Sequence, residues 1–282
     1  MKRLLIFARR NLMLTAGLTL LLVIFVLWVV GYLLVDVSRA APLSAGPDMR
    51  PSAEYLLGTD SAGRQLLAVM VRGAPTTLQI GLIAGALGLL IGIVLGFTAG
   101  FFGGVVDSII RTLADVALTV PALAVLVVIA SVITRTLSPQ ILALIIASLA
   151  WMWPTRTIRS QVLTMRERAY VEVARLSGLN NFEIIFKELM PNLLPYLAAS
   201  FVGAVGAAIL AAIGLEALGL GPQSEPTLGM TIYWARYYNA LPRGMWWWWA
   251  PPVIVIILLF ISLFMISAGL DQIANPRSRR SV

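Results

Sequence analysis

Runs of about twenty residues carrying one charge or none recur along this chain, and each is long enough to cross the ~30 Å hydrocarbon layer as a helix. They cover Leu12 to Val35 and, approximately, Thr76 to Thr98, Thr112 to Ile133, Ser138 to Pro154, Pro195 to Leu218 and Trp246 to Leu270. Lipid offers no partner to a backbone amide, so such runs must bond internally. A barrel would need alternating segments of roughly ten residues, and these runs are continuous. A composition of 59% hydrophobic and 12% charged residues excludes an ordinary soluble domain. The expectation is an all-α polytopic membrane protein with six transmembrane helices.

The polar segments organise these spans. Residues 1–11 form a basic N-terminus with Lys2, Arg3, Arg9 and Arg10, followed by transmembrane helix 1 over 12–35. That run exceeds the 7–15 residues of a signal-peptide core and more spans follow, so it reads as a retained helix. Residues 36–75 form an external loop broken by Pro42, Pro47, Pro51, Gly58 and Gly63. A five-helix core occupies 76–270, interrupted by a charged loop at 155–188, and a basic tail fills 271–282. Asp107 and Arg111 mark a short polar connection. Six crossings put both termini, that connection and the 155–188 loop on one side, with 14 of the 21 Lys and Arg residues. The excess orients both termini toward the cytoplasm of a prokaryotic plasma membrane.

Several chemistries are excluded. There is no histidine and no cysteine, which removes imidazole bases, thiol nucleophiles, haem ligation and most zinc sites. No GxxxxGK[ST] loop is present to hold nucleotide phosphates. The chain itself is therefore expected to be non-catalytic, without a cofactor or metal. Its net charge of +8 fits a bilayer surface, and no nucleic-acid partner is expected.

Four features carry alternative readings. Gly88, Gly92, Gly96 and Gly100 repeat at i+4 on one helical face, which suits either routine close packing or helices that slide during a transport cycle. Asp115 lies one turn inside its span with Arg111 four residues before it. A structural ion pair at the cytoplasmic edge and a proton or cation relay both account for that placement. Glu216 is the other carboxylate near a membrane interior. Trp151, Trp153 and Trp246 to Trp249 fit interfacial anchors; four consecutive tryptophans point in different directions and cannot form one stacking platform. Within 155–188, a helix from about Tyr170 to Ser177 ends at Gly178, and Phe182, Ile184, Ile185 and Phe186 add apolar surface. This element suits docking on a soluble partner or packing within the loop.

Glu172, Val173, Ala174 and Arg175, then Gly178 and Pro191, resemble the EAA loop of importer-type ABC transporter membrane subunits. GTDSAGRQ at 58–65, RGAPTTL at 72–78, residues 100–123, ALGLGPQSEPTLGM at 217–230 and ANPRSR at 274–279 are similar to the second membrane subunit of dipeptide and oligopeptide importers. The resemblance implies a type I importer transmembrane domain with a cytoplasmic coupling helix at about 170–182. Tyr170, Glu172, Val173, Ala174, Arg175, Gly178 and Phe182 would form its docking surface. The implied partners are a second related permease subunit, two cytoplasmic ATPases holding ATP and Mg2+, and an extracytoplasmic solute-binding protein. Peptides are the implied cargo. Leu228 stands where peptide members carry tryptophan, which makes oligosaccharides the alternative; a secondary transporter is a further one.

Overall fold

The computed structural model describes residues 10–133 and 137–274. The basic residues Lys2, Arg3, Arg9, Arg135, Arg277, Arg279 and Arg280 lie outside them. The described chain is helical apart from loops and one isolated β-bridge between Thr59 and Gln65.

Four helices are long and apolar enough to cross a membrane unbroken: α1 (Leu12–Leu34), α2 (Leu66–Phe102), α8 (Asn181–Ala217) and α10 (Trp246–Ala274). Two bent pairs complete six spans. The helices α3 (Gly104–Thr119) and α4 (Ala122–Val132) meet at 81°, and α5 (Pro139–Ala150) and α6 (Met152–Arg166) meet at 42°. Two shorter helices, α7 (Ala169–Leu176) and α9 (Leu228–Tyr237), lie at opposite ends of the bundle.

The expected straight third span is thus sharply broken. Val120 is extended, and Pro121 has no N–H to continue the ladder. Asp107 and Arg111 also differ from expectation, for they sit inside α3. The connection is the pair Gly103 and Gly104, whose φ values of +68° and +59° turn the chain between α2 and α3.

The segment 155–188, expected as an extramembrane element helical by its composition, is helical, and as far as Arg166 it is packed along the bundle. Thr155, Ile158 and Val162 share one face and are buried, Arg159 and Arg166 lie half-buried along its margin, and Arg156 points away and is exposed. That apolar face lies on the glycine row of α2. A Cβ at Gly92 would come within 2.5 Å of the Pro154 Cβ of α6, and the row begins against the end of α5, where one at Gly88 would come within 2.5 Å of the Ala150 Cβ. Gly96 and Gly100 lie against Ile158 and Val162 in the same way. Side chains on α2 would hold the axes apart, so the row brings two backbones together.

Helix α1 packs on α10 through two further glycines, with Gly17 against the Ile266 backbone and Gly269 against Leu14. The start of α1 therefore lies beside the end of α10. The outward face of α1 carries exposed Leu22, Leu27 and Leu33, as a lipid-facing surface requires. A hydrogen bond ties α1 to α2. Pro75 cannot donate to the Val71 carbonyl four residues earlier, and Trp28 fills the gap with its indole Nε1–H at 2.7 Å.

Candidate functional site

The charged loop becomes a compact projection at the end of the bundle that carries the start of α1 and the end of α10. Val171 and Ala174, three residues apart on α7, are buried against Phe101, Ile158, Ile184 and Leu189. The Arg175 guanidinium lies 5.9 Å from the Phe101 ring centre, a cation–π contact that holds α7 against the end of α2. Gly178 leaves the helix with φ +84°, and its N–H bonds the Arg175 carbonyl. Asn180 and Glu183 then form a reciprocal capping box that starts α8. The first turns of α8 widen into a π-helical stretch at Ile184–Leu189, which brings Ile184, Ile185 and Leu189 under α7.

What remains outside is an apolar crest. Val173 is 61% exposed, Leu176 83%, Phe182 68% and Phe186 58%. Glu172, Arg168 and Lys187 surround it, also exposed. Of the residues expected to form the docking surface, Val173, Phe182, Glu172, Gly178 and Tyr170 are outward. Ala174 is instead inward and anchors the helix, and Arg175 reaches back to Phe101. Phe186, expected as apolar surface, belongs to the crest, whereas Ile184 and Ile185, expected beside it, are buried under α7. Leu176 also belongs to the crest and was not singled out; its signal was a large apolar side chain beside charges in a loop. Partial burial pushes the Tyr170 phenol above its ordinary range.

Behind the projection, α3 and α6 are joined by ion pairs. Arg111 and Asp115 pair within α3 at 3.5 Å, as the spacing suggested, and Arg156 of α6 shares the same carboxylate at 3.7 Å. All three side chains are at least 40% exposed, so these contacts are individually weak. The stronger joint was not visible in sequence. Asp107 accepts from both Nε and Nη2 of Arg159, the latter at 2.6 Å, with each side chain only 18% exposed. Partners 52 residues apart leave no local pattern. Arg166 adds a bond from Nη1 to the Gly100 carbonyl at 2.9 Å, satisfying the end of α2.

Further into the bundle, the broken α3–α4 span opens a cavity of ≈ 680 Å³. Its walls are Val120 and Pro121 at the break, Trp153, and a small-residue face of α8 that includes Ser200, Gly203 and Ala207. Ser267 and Asp271 of α10 add polar atoms. No group of His, Cys, Asp or Glu able to hold a metal occurs among the described residues.

Residues 92–280 match the model of the binding-protein-dependent transport system inner membrane component. The chain belongs to that family. Among curated members, the di/tripeptide transport system permease protein DppC of Pseudomonas aeruginosa is 31% identical over 195 residues, 69% of this chain and 63% of that protein. The dipeptide transport system permease protein DppC of Alkalihalophilus pseudofirmus is 30% identical over 62% of this chain and 57% of its own length. The match thus spans under two thirds of these two relatives. A putative peptide transport system permease protein of Brucella suis is 28% identical over 80% of this chain and 75% of its own length. In structure, the inward-facing MetNI methionine ABC transporter superposes with a TM-score of 0.58 at 19% identity, covering 74% of this chain and 95% of the matched one. Another crystal form of that transporter gives 0.57 at 20% identity, covering 75% and 97%. The fold is that of a type I importer membrane subunit, and the inner membrane component is a multi-pass membrane protein.

Proposed function

We propose that this chain is a permease subunit of an ATP-driven, binding-protein-dependent peptide importer. It contributes no catalytic group and converts the closure of partner ATPases into alternating access. The observation that carries this reading is the apolar crest on α7 and the start of α8. Large exposed apolar side chains ringed by charge, rigidly backed by Val171 and Ala174, suit a groove in a soluble partner better than water.

The termini and the crest then face the cytoplasm, in keeping with the basic excess at that end. Two cytoplasmic ATPases hold ATP and Mg2+, and one seats the α7 segment, with Tyr170, Glu172, Val173, Arg175, Gly178 and Phe182 fixing its register. Closure of the ATPases pushes α7. Motion passes through α6 to α2 across the glycine row, and to α3 through Asp107 and Arg159. The α3–α4 break borders the cavity, so displacement there changes which side it opens toward. A second related permease completes the pathway opposite the small-residue face of α8. The solute-binding protein delivers cargo to the opposite side, at the 36–65 loop and α9. Peptides are the favoured cargo because the curated relatives named above are peptide permeases.

The test is ATP-dependent uptake in proteoliposomes holding the full complex and binding protein, with labelled peptides and oligosaccharides run in parallel. Peptide uptake should require this subunit, and Leu176→Asp with Phe182→Asp should abolish uptake and co-purification of the ATPase without loss of membrane insertion. Normal coupling in that double variant would reject α7 as the transmission element, and uptake of oligosaccharides alone would replace the cargo.

A further inference from the structure

Glu216, in the last turn of α8, is fully buried, and neither carboxylate oxygen meets hydrogen-bond geometry with any partner. Burying a carboxylate is costly unless something offsets it, and three observations show a place made for this one. First, Gly221 and Gly229 clear the space. A Cβ at Gly221 would come within 2.7 Å of the Glu216 Cγ, and a methyl at Gly229 would overlap the carboxylate itself. Second, the carboxylate faces the amino end of α9, where the Thr227 hydroxyl and the Gly229 and Met230 amides lie beside it. The Leu228 N–H goes to Thr77 Oγ1 at 2.9 Å and the Met230 N–H to Thr227 Oγ1 at 3.1 Å, which leaves the Gly229 N–H toward Glu216. A negative charge there meets the positive end of the helix dipole. Third, the seat joins separate parts of the chain. A Cβ at Gly73 of α2 would come within 3.2 Å of the Thr227 carbonyl carbon, and Thr77 of α2 holds Leu228.

We propose that Glu216 is a positioning residue whose charge seats the amino end of α9, so that α9 moves as one body with the adjoining ends of α2 and α8. Helix α9 carries Tyr233, Trp234 and Tyr237, whose rings touch one another and lead to Tyr238 and Trp248. Its placement fixes that aromatic surface at the end of the bundle opposite the α7 crest. The consequence for transport rests on the importer reading; the seat itself does not.

The chain has no cysteine, so a single introduced cysteine is the one thiol on this subunit, and labelling is read on its band alone. In the assembled complex, Ala235→Cys, buried on α9 against Leu66 and Trp248, is labelled with a membrane-impermeant maleimide, in the parent and with Glu216→Gln or Glu216→Asp. Glu216→Gln should raise the labelling rate about tenfold and lower the maximal uptake rate with little change in half-saturating cargo. Glu216→Asp, keeping the charge, should recover part of both. Parent-like labelling and uptake in Glu216→Gln would overturn the proposal. A second arm keeps Glu216 itself in place: Gly229→Ala, whose methyl would overlap the carboxylate, should raise the labelling of the same cysteine as Glu216→Gln does. Parent-like labelling in Gly229→Ala would overturn the proposal equally. If the parent complex moves no peptide, the importer reading fails while the labelling result still decides the seat.

Discussion

Placing a methyl group on the α2 glycine row tests how closely α2 and α6 are joined. In Gly92→Ala the new Cβ would stand 2.5 Å from the Pro154 Cβ and 3.1 Å from the Thr155 nitrogen. Ordinary carbon contacts begin near ~3.5 Å, so α6 must retreat by about 1 Å. It cannot do so cheaply: Thr155, Ile158 and Val162 are already buried, and Pro154 is rigid. Overpacking of this kind costs about 1–3 kcal/mol. Alanine also gains up to about 1 kcal/mol over glycine in helix propensity, which obscures the clash in a single variant. Gly203→Ala on α8 supplies the control, since no atom lies within 4 Å of its Cβ. The propensity gain is common to both, so their difference isolates the clash. At about 2 °C per kcal/mol for a chain of this size, Gly92→Ala should melt about 2–6 °C below Gly203→Ala. The assay is thermal unfolding of this subunit purified by itself in detergent, so that Gly203 meets no partner chain, followed by tryptophan fluorescence. Equal melting temperatures would refute a tight α2–α6 contact, and with it the route by which α7 is proposed to drive α2.

Other changes probe single joints. Asp107→Arg and Arg159→Asp should each destabilise the α3–α6 contact by about 1.5–3 kcal/mol, and the combined swap should recover much of it in the same thermal assay; additive losses would count against a specific pair. Trp28→Phe removes the bond to the Val71 carbonyl and should cost about 1 kcal/mol. Adding Pro75→Ala supplies a backbone N–H to that carbonyl, so the loss should largely vanish in the Pro75→Ala background, as a double-mutant cycle would read. Burial works against ionisation of Asp48, but the Ser61 hydroxyl and the Arg243 guanidinium outweigh it and hold the carboxyl below the ordinary value of 3.8. A lowered folded-state pKa gives stability that is present above that value and lost as pH falls through the folded one. Protease resistance of the 36–65 loop should therefore be flat from neutral pH down to about pH 4 and fall only in stronger acid; a loss already at pH 6 would show that another group controls the loop.

The sequence by itself determined the class of molecule. Uninterrupted apolar runs leave the backbone no partner but itself, which dictates helices, and their number dictates six spans. The i+4 glycine row, the Arg111–Asp115 spacing and the glycine after α7 were legible because each depends on neighbours within one helical turn. So was the approximate place of the crest. Tertiary structure alone decided the partners of these features. The glycine row had to meet some backbone, and only packing made it α6. Arg159 found Asp107 across 52 residues, Trp28 found the carbonyl that Pro75 had freed, and Ala174 turned inward while Leu176 turned out. The 81° break at Pro121 was likewise hidden, because a proline marks where a helix can bend while the neighbouring helices set the angle. Glu216 shows the division most plainly: its apolar surroundings marked it as costly, but the helix end that receives it lies across a loop, where hydropathy and periodicity carry no information about distance.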